Sequence, residues 1–215
     1  MQADGFRKRL GNAGPFMMVM VLLWVLALAW LLLQGREAAF LKLRPADDFA
    51  TDLFFQYITH VGDGLFAVAA VLVLLLMRQF GFAFVAFFGY AVSGLLAQLL
   101  KRLISEWRPA PYFQQRGISI HAVDGVDLLQ SATSFPSGHT ASAFSLAAAL
   151  VLMSRWWQQR WMLAVLLACT AGYSRVYLGQ HFLQDVLAGS FLGVISSVAG
   201  AWVLEKWQPR FYRKQ

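Results

Sequence analysis

The chain has one cysteine, Cys169, inside the apolar stretch Met162 to Gly172. A single thiol builds neither a disulfide framework nor a Cys-based metal site. The redox compartment therefore stays open. Charge is scarce too: 13% of the 215 residues are Asp, Glu, Lys or Arg and 59% are hydrophobic, against about 25% and 45–50% in soluble domains. That balance argues against a water-soluble monomer. Carboxylates form no cluster suited to a divalent ion, so no metal is expected. With six prolines and no repetitive polar tract the chain is not disordered, and no internal repeat points to a solenoid.

What the sequence does have is long apolar runs. A bilayer-crossing helix needs about 20 largely apolar residues, because every backbone N–H and C=O must be satisfied within the segment. Phe16 to Leu33 carries no charge over 18 residues, Gln79 to Leu100 none over 22, and Val186 to Leu204 none over 19. Ser137 to Met153 contains only His139. Two shorter runs complete the set. Gly64 to Met77 reaches full length only with Thr59 to Asp63, and Trp161 to Ser174 only through Arg175 toward Leu178. The expectation is an all-α bundle of six transmembrane helices, at approximately 16–33, 60–77, 80–101, 137–154, 161–178 and 185–204, in a single domain over 1–215. Arg7, Lys8 and Arg9 before the first run resemble a signal peptide, but the run is too long and has no small-residue cleavage pattern, so a retained first span is expected.

Six spans put both termini on one side. That side holds Arg7, Lys8, Arg9, Arg78, Arg155, Arg160, Lys206, Arg210, Arg213 and Lys214 against Asp4 and Glu205. The other side holds eight basic and nine acidic residues. The positive-inside rule then places the termini in the cytoplasm. The net charge of +7 faces anionic headgroups rather than nucleic acid. Between spans one and two, Asp47, Asp48 and Asp52 beside Phe49, Leu53, Phe54 and Phe55 suggest a helix along the membrane surface. Between spans three and four lies a long connection, 104–135, whose Trp107, Tyr112 and Phe113 fit either a segment resting on the lipid interface or an ordinary external loop.

Polar residues gather at span ends. Lys101 and Arg108 follow span three, Ser137 and His139 open span four, Arg175 ends span five, and His181 and Asp185 open span six. Alternating chain direction brings all these ends to one face, whichever way the protein sits. Three cations, two histidines and a carboxylate there suit a dianionic group, with phosphate the natural candidate. Each element alone has a plainer reading. Lys101 and Arg108, seven residues apart, share a face if the helix persists, and such a pair is often an interfacial anchor. Ser137 can cap span four, while Gly138 lets a ligand approach the backbone N–H groups. His181 and Asp185, at i and i+4, leave one imidazole nitrogen free for a substrate or form a structural hydrogen bond.

Taken together, the segments Lys101 to Pro109 (K-x6-R-P), Pro136 to His139 (P-S-G-H) and Ser174 to Asp185 (S-R-x5-H-x3-D) resemble the type 2 phosphatidic acid phosphatase superfamily of membrane lipid phosphatases. The resemblance implies that His181 attacks phosphorus and becomes a phosphohistidine, with Asp185 orienting it. His139 would protonate the leaving oxygen and then activate water. Lys101, Arg108, Arg175, Ser137 and the Gly138 backbone would hold the phosphoryl oxygens, with no cofactor. His60 and His121 match no motif position, although His121 lies beside the site and could touch substrate. The expected substrate is a lipid phosphate or diphosphate in the bilayer: undecaprenyl diphosphate, phosphatidylglycerophosphate, phosphatidic acid or a lipid A phosphate. The expected location is the bacterial cytoplasmic membrane, with an extracytoplasmic site; the oligomeric state is left open. Alternatives are a lipid phosphotransferase, such as a lipid A modifying enzyme, and a non-catalytic transporter or ion-path bundle.

Overall fold

Every apolar run folds as a helix, but not every helix is a full, straight span. The computed structural model describes residues 5–44 and 48–207. Asp47 of the expected surface segment, and Asp4, Arg210, Arg213 and Lys214 of the terminal charge set, lie outside the described residues. The elements are α1 (Phe6–Asn12), α2 (Gly14–Lys42), α3 (Phe49–Ile58), a 3₁₀ turn (Thr59–Gly62), α4 (Gly64–Leu76), α5 (Phe80–Leu103), α6 (Pro109–Gln114), α7 (Gly138–Met153), α8 (Arg155–Gln159), α9 (Trp161–Tyr177) and α10 (Leu183–Trp207).

By length and apolarity α2, α5 and α10 each cross a bilayer unaided, and the pair 49–62 and 64–76, bent by 53°, is a fourth candidate. The α7 helix has 16 residues and α9 has 17, about 24–26 Å at ~1.5 Å per residue against a hydrocarbon core of about 30 Å. Burial sets α7 apart from the lipid-facing helices. The inward-facing residues of α7 are mostly Ala and Ser, enclosed by α5, α9 and α10, so little of it has to match lipid. Conversely, α2 turns Val21, Leu22, Val25, Leu26, Leu32 and Leu33 outward, as a lipid-facing helix should.

Close approach of α7 and α10 is licensed by glycine. A Cβ on Gly189 would lie 2.4 Å from the Ser137 carbonyl oxygen, and one on Gly193 2.4 Å from that of Ala141. Small residues at such crossings let backbones touch, the main source of cohesion where lipid competes equally for apolar side chains. The Ser197 hydroxyl adds a bond to the Ser145 carbonyl at 2.7 Å.

Two expectations are corrected. The 60–77 segment is not one helix: the chain bends at Asp63, whose extended backbone (φ −68°, ψ 142°) and side chain cap α4 through Leu65 N at 2.8 Å. Lys101 and Arg108 do not share a helix face, because their helix does not persist. The α5 helix stops at Leu103, Arg108 is extended (ψ 160°) as a residue before proline must be, and Pro109 opens α6. The helix of the first span ends within a residue of where the apolar run does. Gly35 (φ 72°) breaks it, and helix resumes to Lys42.

The expected surface helix is α3, with Phe49, Phe54 and Tyr57 exposed and Phe55 stacked on Tyr173 and Tyr177. The long connection folds back on the bundle. Phe113 is buried against Phe40 and Phe182, while Trp107 remains exposed.

Candidate active site

The short turn between α9 and α10 places the central histidine. Gly179 takes φ +69° after the last turn of α9, the left-handed closure that glycine makes without strain. The Arg175 carbonyl then accepts from both Gln180 N (2.9 Å) and His181 N (3.0 Å). His181 is 2% exposed. Its Nδ1 lies 3.2 Å from Asp185 Oδ2 and 3.5 Å from the Ser134 hydroxyl. Its Nε2 lies 3.3 Å from Arg108 Nη1. With Nδ1 facing a carboxylate, the tautomer that donates there keeps its lone pair on Nε2.

Asp185 sits in the first turn of α10, where a negative charge meets the positive end of the helix dipole. One oxygen, Oδ2, accepts from Phe182 N (3.0 Å) and from Ser134 (2.5 Å) while facing His181. The other, Oδ1, is buried with no hydrogen-bond partner among the described residues. Its backbone carbonyl accepts from Ser137 N at 3.0 Å, which ties the start of α7 to the start of α10.

Arg108 is buried, and burial pulls its guanidinium below the usual range, with Asp185 opposing. It donates from Nη1 to the Gln180 carbonyl (2.9 Å) and from Nε to the Ser131 hydroxyl (3.1 Å). Arg175, also buried, donates from Nη1 to Thr59 Oγ1 at 2.7 Å, and its Nε has no hydrogen-bond partner among the described residues. Lys101, in the last turn of α5, shares the electrostatic neighbourhood of Arg108, Arg175 and Asp185. His139, in the first turn of α7, lies within reach of the charges of Arg175, Asp63, His181 and Lys101. Ser137 caps α7, accepting from Thr140 N at 3.3 Å and Thr140 Oγ1 at 2.9 Å. A Cβ on Gly138 would meet nothing within 4 Å, so the backbone there is open to a ligand.

All eight residues singled out in the sequence thus lie at one end of the bundle. His121 does not join them: its Nε2 is 3.3 Å from Asp52, on the side of α3. Four residues at the site lack an assigned part in the motif reading. Ser131 and Ser134 come from the long connection, Thr59 and Asp63 from the bend before α4. A usable signal existed for Asp63, since a carboxylate opening span two falls, by chain alternation, on the same face as Lys101. Ser134 is only three residues before Ser137, but nothing in its spacing announces a bond to Asp185.

In sum the arrangement offers a neutral nucleophilic nitrogen, a second imidazole and three cations around one space, suited to attack on phosphorus. Among the described residues no three His, Cys, Asp or Glu side chains gather as a metal-binding group.

Comparison with known proteins agrees with that chemistry. The sequence model of the PAP2 superfamily matches residues 82–209. The chain is similar to lipid A 1-phosphatase of Rhizobium johnstonii, 34% identical over 122 residues, 56% of this chain and 47% of that protein. It is also similar to phosphatidylglycerophosphatase B of Bacillus subtilis, 30% identical over 64% of this chain and 68% of that one. The match thus spans about half the length of the Rhizobium relative. The crystal structure of Aquifex aeolicus LpxE superposes with a TM-score of 0.63 at 27% identity, covering 75% of this chain and 91% of that one. Apolar spanning helices and membrane relatives make this an integral membrane protein.

Proposed function

This chain belongs to the PAP2 superfamily, and from that premise we propose that it hydrolyses the phosphate monoester or diphosphate of a membrane lipid through a phosphohistidine on His181. The observation that carries the reading is the division of the His181 ring: Nδ1 faces Asp185 at 3.2 Å, and Nε2 faces the Arg108 guanidinium at 3.3 Å.

The Nε2 lone pair forms the P–N bond as the bond from phosphorus to the lipid oxygen breaks, and His139 gives its proton to that departing oxygen. Lys101, Arg108 and Arg175 balance the charge on the equatorial oxygens, with the Ser137 hydroxyl and Gly138 N–H at the start of α7 as further donors. In the second half, His139 takes a proton from water, the water oxygen bonds to phosphorus, the P–N bond breaks and inorganic phosphate leaves. Three cations supply the electrostatic stabilisation that divalent ions supply elsewhere, so the reaction runs without metal.

For the membrane arrangement, the reading is six passes, with α7 and α9 as short, protein-enclosed spans and the segment 60–77, bent at Asp63, as the second. The termini are cytoplasmic, and the site faces outward from a bacterial inner membrane, toward outer-leaflet lipid phosphates. The greater share of basic residues at the terminal end supports that orientation. The test is phosphate release by purified protein from phosphatidic acid, phosphatidylglycerophosphate, undecaprenyl diphosphate and lipid A, with and without chelator. Release from at least one, indifferent to chelator, is expected; loss in chelator restored by magnesium overturns the metal-free mechanism, and no release from any overturns the function.

A further inference from the structure

A second carboxylate–imidazole contact lies across the site from His181 and Asp185. Asp63 Oδ2 is 3.9 Å from His139 Nε2, with both side chains 36% exposed. The segment that carries Asp63 is built into the site at three points. Thr59 accepts from Arg175 at 2.7 Å. Gly62 packs so closely on α7 that a Cβ there would fall 2.7 Å from the His139 carbonyl oxygen. Asp63 itself is fixed by capping α4 through Oδ1 at 2.8 Å, which leaves Oδ2 to face the imidazole. This segment precedes residue 82, where the family match begins.

We infer that Asp63 is a positioning residue for His139, holding the imidazolium that donates a proton to the leaving lipid oxygen. The inference rests on the phosphatase reading above. At 3.9 Å the contact is an ion pair for the charged ring and no hydrogen bond for the neutral one, so Asp63 acts on the protonated state that the first half of the reaction requires. The bend at Asp63 thus has a chemical use: a straight second helix would carry the carboxylate away from α7.

Asp63→Asn removes the charge while keeping a good helix cap. The expected result is a fall in kcat of about tenfold or more on an alkyl or lipid phosphate, whose alkoxide needs a proton to depart, with KM steady. On p-nitrophenyl phosphate, whose leaving group needs none, the loss should stay within about threefold. Asp63→Glu should recover part of kcat on the lipid substrate. In a His139→Ala background, Asp63→Asn should add nothing, because the two residues act as one unit. Equal losses on both substrates, a rise in KM with kcat unchanged, or full additivity with His139→Ala would overturn the inference and make Asp63 a structural or Arg175-balancing residue. An active wild type that loses all turnover in His181→Ala but is indifferent to Asp63→Asn overturns this inference alone. A wild type inactive on every phosphate ester overturns both readings.

Discussion

His181 Nδ1 and Asp185 Oδ2 stand 3.2 Å apart, and that same oxygen also accepts from Ser134 and from Phe182 N. The carboxylate is therefore held from two sides while it faces the ring. His181→Ala should abolish turnover with the protein still folded, since the ring lies at a helix start and not in a packed helix crossing; activity within tenfold of wild type would contradict its role as nucleophile. Asp185→Asn should cost about 10²–10⁴ in kcat through loss of the tautomer.

Ser134→Ala tests the outer support. A hydroxyl donating to a buried carboxylate at 2.5 Å is a charge-assisted bond worth about 1.5–3 kcal/mol. Only part of that reaches the transition state, so kcat should fall about tenfold with KM little changed. A change confined to KM would place Ser134 in substrate binding instead.

The pH profile follows from the burial of His181. Burial holds its imidazole down to about 4, with Asp185 opposing and Arg108 and Arg175 reinforcing. Its folded value thus lies below the ordinary value of about 6.5. The nucleophile must be neutral, so activity that depends on it is present above the folded value and lost as pH falls through it. With p-nitrophenyl phosphate, and after allowance for ionisation of the substrate, kcat/KM should persist through about pH 5–6 and fall toward about pH 4. An acid limb centred near about 6.5 would mean the ring is solvated in the working enzyme.

Why some of this site is legible from sequence and some is not comes down to chain direction against tertiary approach. Lys101, His139, Arg175, His181 and Asp185 sit at ends of apolar runs, and alternation of direction alone brings such ends together. Arg108 reaches the same place by another route than a shared helix face: Glu106 pairs with Arg36 at 2.7 Å and bridges to Thr133, and the chain turns extended before Pro109. The parts played by Thr59 and Ser134 depend on how closely backbones pass, as Gly62 does against His139, and no periodicity encodes that. Helix lengths divide the same way. Lipid-facing α2 announces itself by hydropathy, and the shortness of enclosed α7 is already in its run, Ser137 to Met153, which the helix follows within a residue.

Glycine at the α7–α10 crossing should prove structural. A Cβ on Gly193 would lie 2.4 Å from Ala141 O and 2.7 Å from Ser145 N, both backbone atoms that have no rotamer to escape into. Gly193→Ala should therefore destabilise the protein by about 1–3 kcal/mol, seen as a lower Tm in detergent. Gly94→Ala in α5, where a Cβ meets nothing within 4 Å, should be neutral or stabilising by up to about 1 kcal/mol. Equal effects at both positions would show that the close crossing does not hold the bundle together.

The last prediction concerns the side of the membrane on which the site works. Ser119, in the connection at the site end, and Gln159, at the end of α8, are both exposed. Between them lie α7 and the turn into α8, so they mark opposite ends of the bundle. Single cysteines at these positions, in a Cys169→Ala background, should differ in labelling by a membrane-impermeant thiol reagent on intact spheroplasts. Position 119 should react and position 159 should react only after the membrane is opened, because Arg155 and Arg160 beside it belong to the basic side proposed to face the cytoplasm. The reverse pattern would turn the site toward the cytoplasm and redirect the substrate search to inner-leaflet lipid phosphates, with the roles proposed for His181 and His139 unaltered. Labelling at both positions in intact spheroplasts would instead count against an odd number of crossings between them, and with it against α7 as a span.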